Sequence, residues 1–88
     1  ETVNFESCWN EGGATHISAR NVGSESLNTT PMNVFLDGQI QPETNYTITP
    51  DLVDPQQTME VELSSEINSE TQVKVGFEGN TVTYRCAF

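Results

Sequence analysis

The sequence predicts an all-β domain: an immunoglobulin-like antiparallel sandwich of two sheets, with about seven strands and one disulfide joining the terminal strands. Apolar and polar residues alternate with a period of two along most of the chain, and helical periodicity is almost absent. Turn signals recur roughly every 8–14 residues, as in small sandwiches. The two cysteines, Cys8 and Cys86, lie near opposite ends of the 88 residues. An up-and-down barrel is the alternative architecture for this pattern.

Seven segments carry the strand pattern. In Thr58–Leu63, the apolar Met59, Val61 and Leu63 share one face and two glutamates share the other, which is typical of a strand with one face in water. The remaining predicted strands are a first strand with Val3 and Phe5 ahead of Cys8, then Ala14–Ala19, Met32–Leu36, Asn45–Thr49, Thr71–Phe77 and Val82–Cys86. In Met32–Leu36 the alternation leaves Phe35 on the outer face.

Turn residues separate these segments. Asp37-Gly38 and Gly79-Asn80 are predicted hairpin turns, because Gly, Asn and Asp tolerate the positive φ that such turns need. Asp51–Gln57 has room for one helical turn, which Pro55 would end. Ser64–Glu70 is a polar connection in which only Ile67 is apolar. We expect residues 1–88 to form one domain.

The charge balance excludes two classes of partner. Asp and Glu number 13 against 3 Lys and Arg, which gives a net charge of −10. Nucleic acids and anionic membrane surfaces are therefore not expected partners, because both are bound through Lys and Arg. No apolar run approaches the roughly 20 residues of a membrane helix. The acids Glu60, Glu62 and Glu78 either contact a basic partner, keep the protein soluble, or reflect residence in high salt.

The cysteine spacing favours an exported protein. Cys8 and Cys86 form no Cys-x-x-Cys motif, and the simplest interpretation is one disulfide between the first and last segments. Two buried free thiols in a cytosolic protein are the alternative. Asn28-Thr29-Thr30 and Asn45-Tyr46-Thr47 are candidate glycosylation sequons, which lean the same way. Trp9, next to Cys8, is expected to pack beside the disulfide.

No catalytic site and no cofactor are predicted. His16 is the single histidine, and it lies in a strand without a neighbouring Asp, so we interpret it as a solvent-facing residue. Asp51 and Asp54 flank Leu52-Val53 in a proline-bounded loop, and loop oxygens suit Ca²⁺. They are weak calcium candidates, because no Asp-x-Asp-x-Asp-Gly loop is present and Asp next to Pro is also ordinary turn chemistry.

Three stretches carry a family resemblance: His16–Leu27 with its strand ending in Arg20-Asn21-Val22-Gly23, Met32–Gly38, and Leu52–Gln57. Together they resemble the soluble domain of archaeal type IV pilin-like proteins, including the stator subunits of the archaellum. That family shows a strand ending in Arg-Asn-x-Gly, a hairpin with Asp-Gly, and a Leu-x-Pro-Gly-Glu-like turn. Here Gln56-Gln57 stand where Gly-Glu is usual, and bacterial adhesion modules carry a similar signature.

The resemblance implies a non-catalytic, extracellular structural and binding role. Such a domain would contact another copy, a sister subunit or the surface layer through an edge strand or a sheet face. It would reach the membrane only through an apolar helix upstream of residue 1. Phe35 and Phe88 are the candidate interaction anchors. An adhesion or spacer module of a larger surface protein is the alternative function.

Overall fold

The computed structural model describes residues 2–77 and 79–88, which form ten β-strands and one 3₁₀ turn. The strands are β1 (Val3–Glu11), β2 (Ala14–Asn21), β3 (Leu27–Asn28), β4 (Asn33–Leu36), β5 (Gln39–Ile40), β6 (Tyr46–Thr49), β7 (Leu52–Val53), β8 (Thr58–Leu63), β9 (Thr71–Phe77) and β10 (Asn80–Cys86). The 3₁₀ turn covers Glu43–Asn45. All seven predicted strands are present, and β3, β5 and β7 are added as two-residue strands. Among the described residues, no helix is long and apolar enough to span a bilayer.

The strands form two four-stranded antiparallel sheets. Sheet 1 has the order β1-β2-β8-β6, sheet 2 has the order β10-β9-β4-β5, and β3 pairs with β7. The same orders, with the first strand beside the second at one edge and the last strand at the edge of the other sheet, define the immunoglobulin sandwich. The predicted fold class is confirmed.

The inward-facing residues of both sheets make the core. In β8 the buried residues are Met59, Val61 and Leu63, and in β9 Val73, Val75 and Phe77 alternate with partly exposed neighbours. Because side chains alternate across a strand, each β-branched residue on the inner face meets the facing sheet. The connection after β8 is fastened to this core by Ile67, whose backbone N–H donates to the buried Thr15 hydroxyl.

The disulfide closes one edge of the sandwich. Cys8 lies in β1 at the edge of sheet 1, Cys86 lies in β10 at the edge of sheet 2, and their Cα atoms are 5.8 Å apart. A β-bulge between Phe5 and Ser7 makes this pairing geometrically feasible. Strict alternation from Val3 and Phe5 would turn the Cys8 side chain outward, whereas the extra residue returns it to the inner face.

The turns confirm part of the prediction and add to it. Asp37 and Gly38, with φ of 48° and 84°, form the β4–β5 hairpin turn. Gly12 and Gly13, with φ of 65° and 81°, form the β1–β2 turn, which the sequence analysis did not predict. In place of a helical turn, Asp51–Gln57 holds β7 and a tight turn in which the Gln57 N–H donates to the Asp54 carbonyl.

Candidate functional site

The outer face of sheet 2 combines apolar and cationic side chains. Its members are Asn33, Phe35, Ile40, Gln72, Lys74, Gly76, Thr81, Thr83 and Arg85. Lys74 and Arg85 are two of the three Lys and Arg residues in the chain. Arg85 makes a loose 3.5 Å ion pair with Glu70, in which both side chains are more than half exposed. This face is therefore the part of an otherwise acidic molecule that attracts carboxylates.

Phe35 and Ile40 form the apolar part of this face, on the side of the sheet that ends in β5. They pair across the β4–β5 hairpin, and Lys74 pairs with Phe35 from the other side. The Lys74 ammonium lies 4.7 Å from the Phe35 ring centroid, so the ring faces outward as predicted but is covered by a cation. Ile40 is 60% exposed, the largest exposed fraction of any large apolar side chain within residues 2–77 and 79–88. Gly76 leaves an open, shallow depression beside the Phe35 ring.

Ile40 was missed in the sequence analysis although a signal for it was present. A two-residue turn at Asp37-Gly38 fixes the hairpin register, so that the residue before Leu36 and the residue after Gln39 lie opposite one another. Those residues are Phe35 and Ile40. Because β5 has only two residues, no alternation could be counted there.

The outer face of sheet 1 is acidic. Its charged members are Glu6, Glu11, His16, Arg20, Glu60 and Glu62. Arg20 donates to Glu6 at 2.9 Å, which leaves three carboxylates around His16. The two sheets therefore present opposite electrostatic character on their outer faces. The third acid named in the sequence analysis, Glu78, lies outside the described residues.

His16 is the centre of a polar cluster on sheet 1. Its Nδ1 lies 2.6 Å from the Glu60 Oε2, and its Nε2 lies 3.1 Å from the Glu11 carbonyl oxygen. The Glu11 carbonyl and the ionised Glu60 carboxylate only accept hydrogen bonds, so this arrangement favours the imidazolium, in which both ring nitrogens donate. Trp9 stacks on the ring with centroids 5.3 Å apart and planes 12° apart. His16 lies on the outer face of the sheet as predicted, but Trp9 and Glu60 cover the ring, so that the side chain is only 15% exposed.

Trp9 does not pack beside the disulfide, contrary to the prediction from the sequence. Cys8 faces the core, so the next residue along β1 faces outward, and Trp9 packs on His16 instead of beside the disulfide. Its indole N–H donates to the Glu11 carboxylate at 3.3 Å. The bulge in β1 sets this orientation.

The hydrogen bond with Glu60 raises the pKa of His16 above its usual 6.5, and the Glu11 carbonyl and the negative charge of Glu62 act in the same direction. Because the pKa of His16 is higher in the folded chain than in the unfolded chain, protonation of His16 stabilises the fold. This contribution is complete below the unfolded-state pKa near 6.5 and is lost as the pH rises through the folded-state pKa. We therefore expect wild type to exceed His16→Gln in stability most below pH 6.5. Urea midpoints across pH measure the difference, and a gap that widens at alkaline pH would contradict the prediction.

The remaining predicted residues lie on exposed parts of the molecule. Asn28 and Asn45, the candidate sequon residues, are exposed on β3 and the 3₁₀ turn, and Phe88 is 49% exposed after β10. Their occupancy and anchoring roles stay predictions. Asp54 accepts a hydrogen bond from the Ser26 hydroxyl at 2.6 Å, and Asp51 is exposed before β7. The calcium hypothesis for this pair also stays a prediction.

Comparison with known proteins identifies a shared fold. No protein-family model and no curated protein matches the sequence. Among solved structures, the archaellum periplasmic stator protein FlaG from Sulfolobus acidocaldarius is similar, with a TM-score of 0.75 over 94% of this chain and 96% of that chain. The sequences are 20% identical. The chain has the fold of an archaellum stator protein. At this identity the likeness establishes the fold alone.

Proposed function

We propose that this chain is a non-catalytic structural domain of an archaellum-stator-like surface subunit, which lies outside the cell membrane and acts through protein contacts. The observation that carries the proposal is the fold shared with a periplasmic stator protein along almost the whole of both chains. The Cys8–Cys86 disulfide supports the location, because structural disulfides persist in oxidising compartments.

The outer face of sheet 2 is the contact surface in this proposal. A partner that fits it carries an apolar group opposite Phe35 and Ile40 and carboxylates to one side of that group, since Lys74 lies next to Phe35 and Arg85 lies farther along the sheet on β10. The acidic outer face of sheet 1 on a second copy has this chemistry. We therefore propose that sheet 2 of one copy stacks on sheet 1 of the next. Such a head-to-tail contact leaves one complementary face free on each outer copy, so that further copies can add until a ring closes or an open array forms.

Salt acts on this contact in two ways. Copies with a net charge of −10 repel one another over long distances at low ionic strength. At physiological salt the Debye length is about 8 Å, so the long-range repulsion is screened while charges in direct contact still attract. Self-association should therefore strengthen between low and physiological ionic strength and weaken again near 1 M salt, where the Debye length falls to about 3 Å.

Replacing Ile40 with serine is expected to weaken self-association about tenfold, which corresponds to about 1.4 kcal/mol, because it removes the most exposed apolar side chain of the face. Lys74→Glu should weaken it further, since it places like charges against each other. Sedimentation velocity over a concentration series measures both effects.

Leu52→Ser is the matched control for Ile40→Ser. Leu52 is 57% exposed, close to the 60% of Ile40, but it lies in β7 outside both four-stranded sheets. We expect Leu52→Ser to associate as wild type does. Equal behaviour of Ile40→Ser and wild type, with circular dichroism spectra unchanged, would overturn the proposed surface.

A further inference from the structure

The cluster around His16 has the composition of a metal site. One ligand atom each from His16, Glu60 and Glu62 lies within 4.8 Å of the others, and within residues 2–77 and 79–88 this is the one group of three or more His, Cys, Asp or Glu side chains placed so closely. Strand register produces the grouping. His16 of β2 lies directly opposite Glu62 of β8, and Glu60 is the next outward residue along β8.

The donor set selects the class of ion. Calcium and magnesium take oxygen ligands, whereas an imidazole nitrogen with carboxylates suits zinc, copper, nickel and iron. Metal–nitrogen and metal–oxygen bonds of about 2.0–2.2 Å require ligand atoms that lie as near one another as these three do. Small rotations of the exposed Glu62 side chain would complete the coordination geometry. We propose that His16, Glu60 and Glu62 form a surface site for a divalent transition-metal ion of the zinc type, with water at the open position.

The surroundings of His16 favour metal binding by Nδ1. Metal-ligating histidines usually donate the other ring N–H to a carbonyl or carboxylate, and here Nε2 points to the Glu11 carbonyl. Trp9 holds the ring plane from one side. Nδ1, which lies 2.6 Å from the Glu60 Oε2, is thereby aimed at the two carboxylates. A bound ion takes the place of a proton on Nδ1, which leaves to solvent, so binding releases protons at any pH where His16 is protonated.

Electrostatics favours the same ion. Glu60 and Glu62 point outward from neighbouring positions on β8, and on the far side they face Thr49 and Thr47 of β6. Within the described part of the chain, His16 is the one cationic side chain that pairs with Glu60, and Glu62 makes no ion pair. A divalent cation would neutralise both carboxylates, which a single imidazolium does not.

The test uses Zn²⁺ alone as the titrant. We expect isothermal titration calorimetry to give one Zn²⁺ per chain, with proton release detected as a difference between two buffers of different ionisation enthalpy and decreasing as the pH rises. Cu²⁺ should quench the fluorescence of Trp9, the one tryptophan of the chain, because the ion would lie next to the stacked ring pair. Ca²⁺ and Mg²⁺ should give neither signal.

Glu62→Gln is the decisive variant. Its side chain is exposed and makes no hydrogen bond with His16, so the fold is retained while one ligand is lost. We expect Zn²⁺ affinity to fall about tenfold or more in Glu62→Gln and in His16→Gln. Glu25→Gln removes the same charge from an exposed loop and should bind as wild type. Equal affinity in all four proteins, or equal binding of Ca²⁺, would overturn the site whatever the self-association experiment gives.

Discussion

Replacing Cys8 and Cys86 together with alanine is expected to lower the free energy of unfolding by about 4–5 kcal/mol. The two residues are separated by 78 positions. In the chain-entropy model, closing a loop of this length lowers the conformational entropy of the unfolded chain by an amount that corresponds to about 4–5 kcal/mol. A domain of this size has a total stability of about 4–13 kcal/mol. Urea denaturation of the double variant and of wild type measures the loss.

The position of the disulfide gives a second reason for a large effect. β1 and β10 lie at the edges of different sheets and share no hydrogen-bonded ladder, so the disulfide is the covalent connection between those edges. A small sandwich buries a limited fraction of its surface, and its terminal strands are the first to detach. Hydrogen exchange in β1 and β10 should therefore accelerate more than exchange in β8 and β9, which lie inside the sheets.

Reductant provides the control for this prediction. Wild type treated with a thiol should unfold at the midpoint of the double variant, and the variant itself should not respond to the thiol. If the variant kept its stability to within about 1 kcal/mol of wild type, the disulfide would be a marker of the compartment only and would not hold the fold together.

The sequence was sufficient to predict most of the fold because the central strands have one buried face and one solvent-exposed face. Thr58–Leu63 and Thr71–Phe77 were predicted with the bounds and the inward residues that β8 and β9 have. Alternation is a strong signal for such strands, since a shift of one residue would place every apolar side chain in water. The signal weakens where strands are short, which is why β3, β5 and β7 were not anticipated.

The surroundings of the candidate metal site depend on a feature that alternation cannot reveal. The bulge between Phe5 and Ser7 changes the face of the sheet to which each later side chain of β1 points. As a result, Cys8 points inward and Trp9 points outward and stacks on His16. Nothing in the local sequence marks a bulge, because the extra residue is an ordinary polar one. The partners of His16 come from β8, 44 positions away, and the register of that pairing is set by the core.

Asn21→Ala is expected to lower the free energy of unfolding by about 2–4 kcal/mol. The Asn21 side chain is 1% exposed and makes three hydrogen bonds at the end of β2. It donates to the Glu25 and Val53 carbonyls at 2.8 and 2.9 Å and accepts from the Gly23 N–H at 2.9 Å. Alanine would remove the partner of the Val53 carbonyl in a buried bond and of the Glu25 carbonyl and Gly23 N–H in two partly buried bonds, and a buried group left unsatisfied costs about 1–3 kcal/mol.

These contacts give structural roles to the Asn and the Gly of the Arg-Asn-x-Gly sequence. Asn21 joins β2 to the following loop and to β7, and its backbone also exchanges hydrogen bonds with Gln56 and Gln57. Gly23 is close to Thr2, where an added Cβ would lie 3.2 Å from a methyl carbon. The Asn21 side chain thus joins the end of β2 to the following loop and to the two-residue strand β7, which have little regular pairing of their own.

Asn21→Asp separates the hydrogen bonds from the packing, because the two side chains have nearly the same shape. The carboxylate cannot donate to the Glu25 and Val53 carbonyls and would be buried without a cation, so we expect a greater loss than with alanine. Burial raises the pKa of such an acid, and the loss should shrink as pH falls and the protonated form regains one donor. Asn4→Ala, on an exposed part of β1, should change stability by no more than about 0.5 kcal/mol. Equal stability of Asn21→Asp and Asn21→Ala at every pH would assign the role of Asn21 to packing alone.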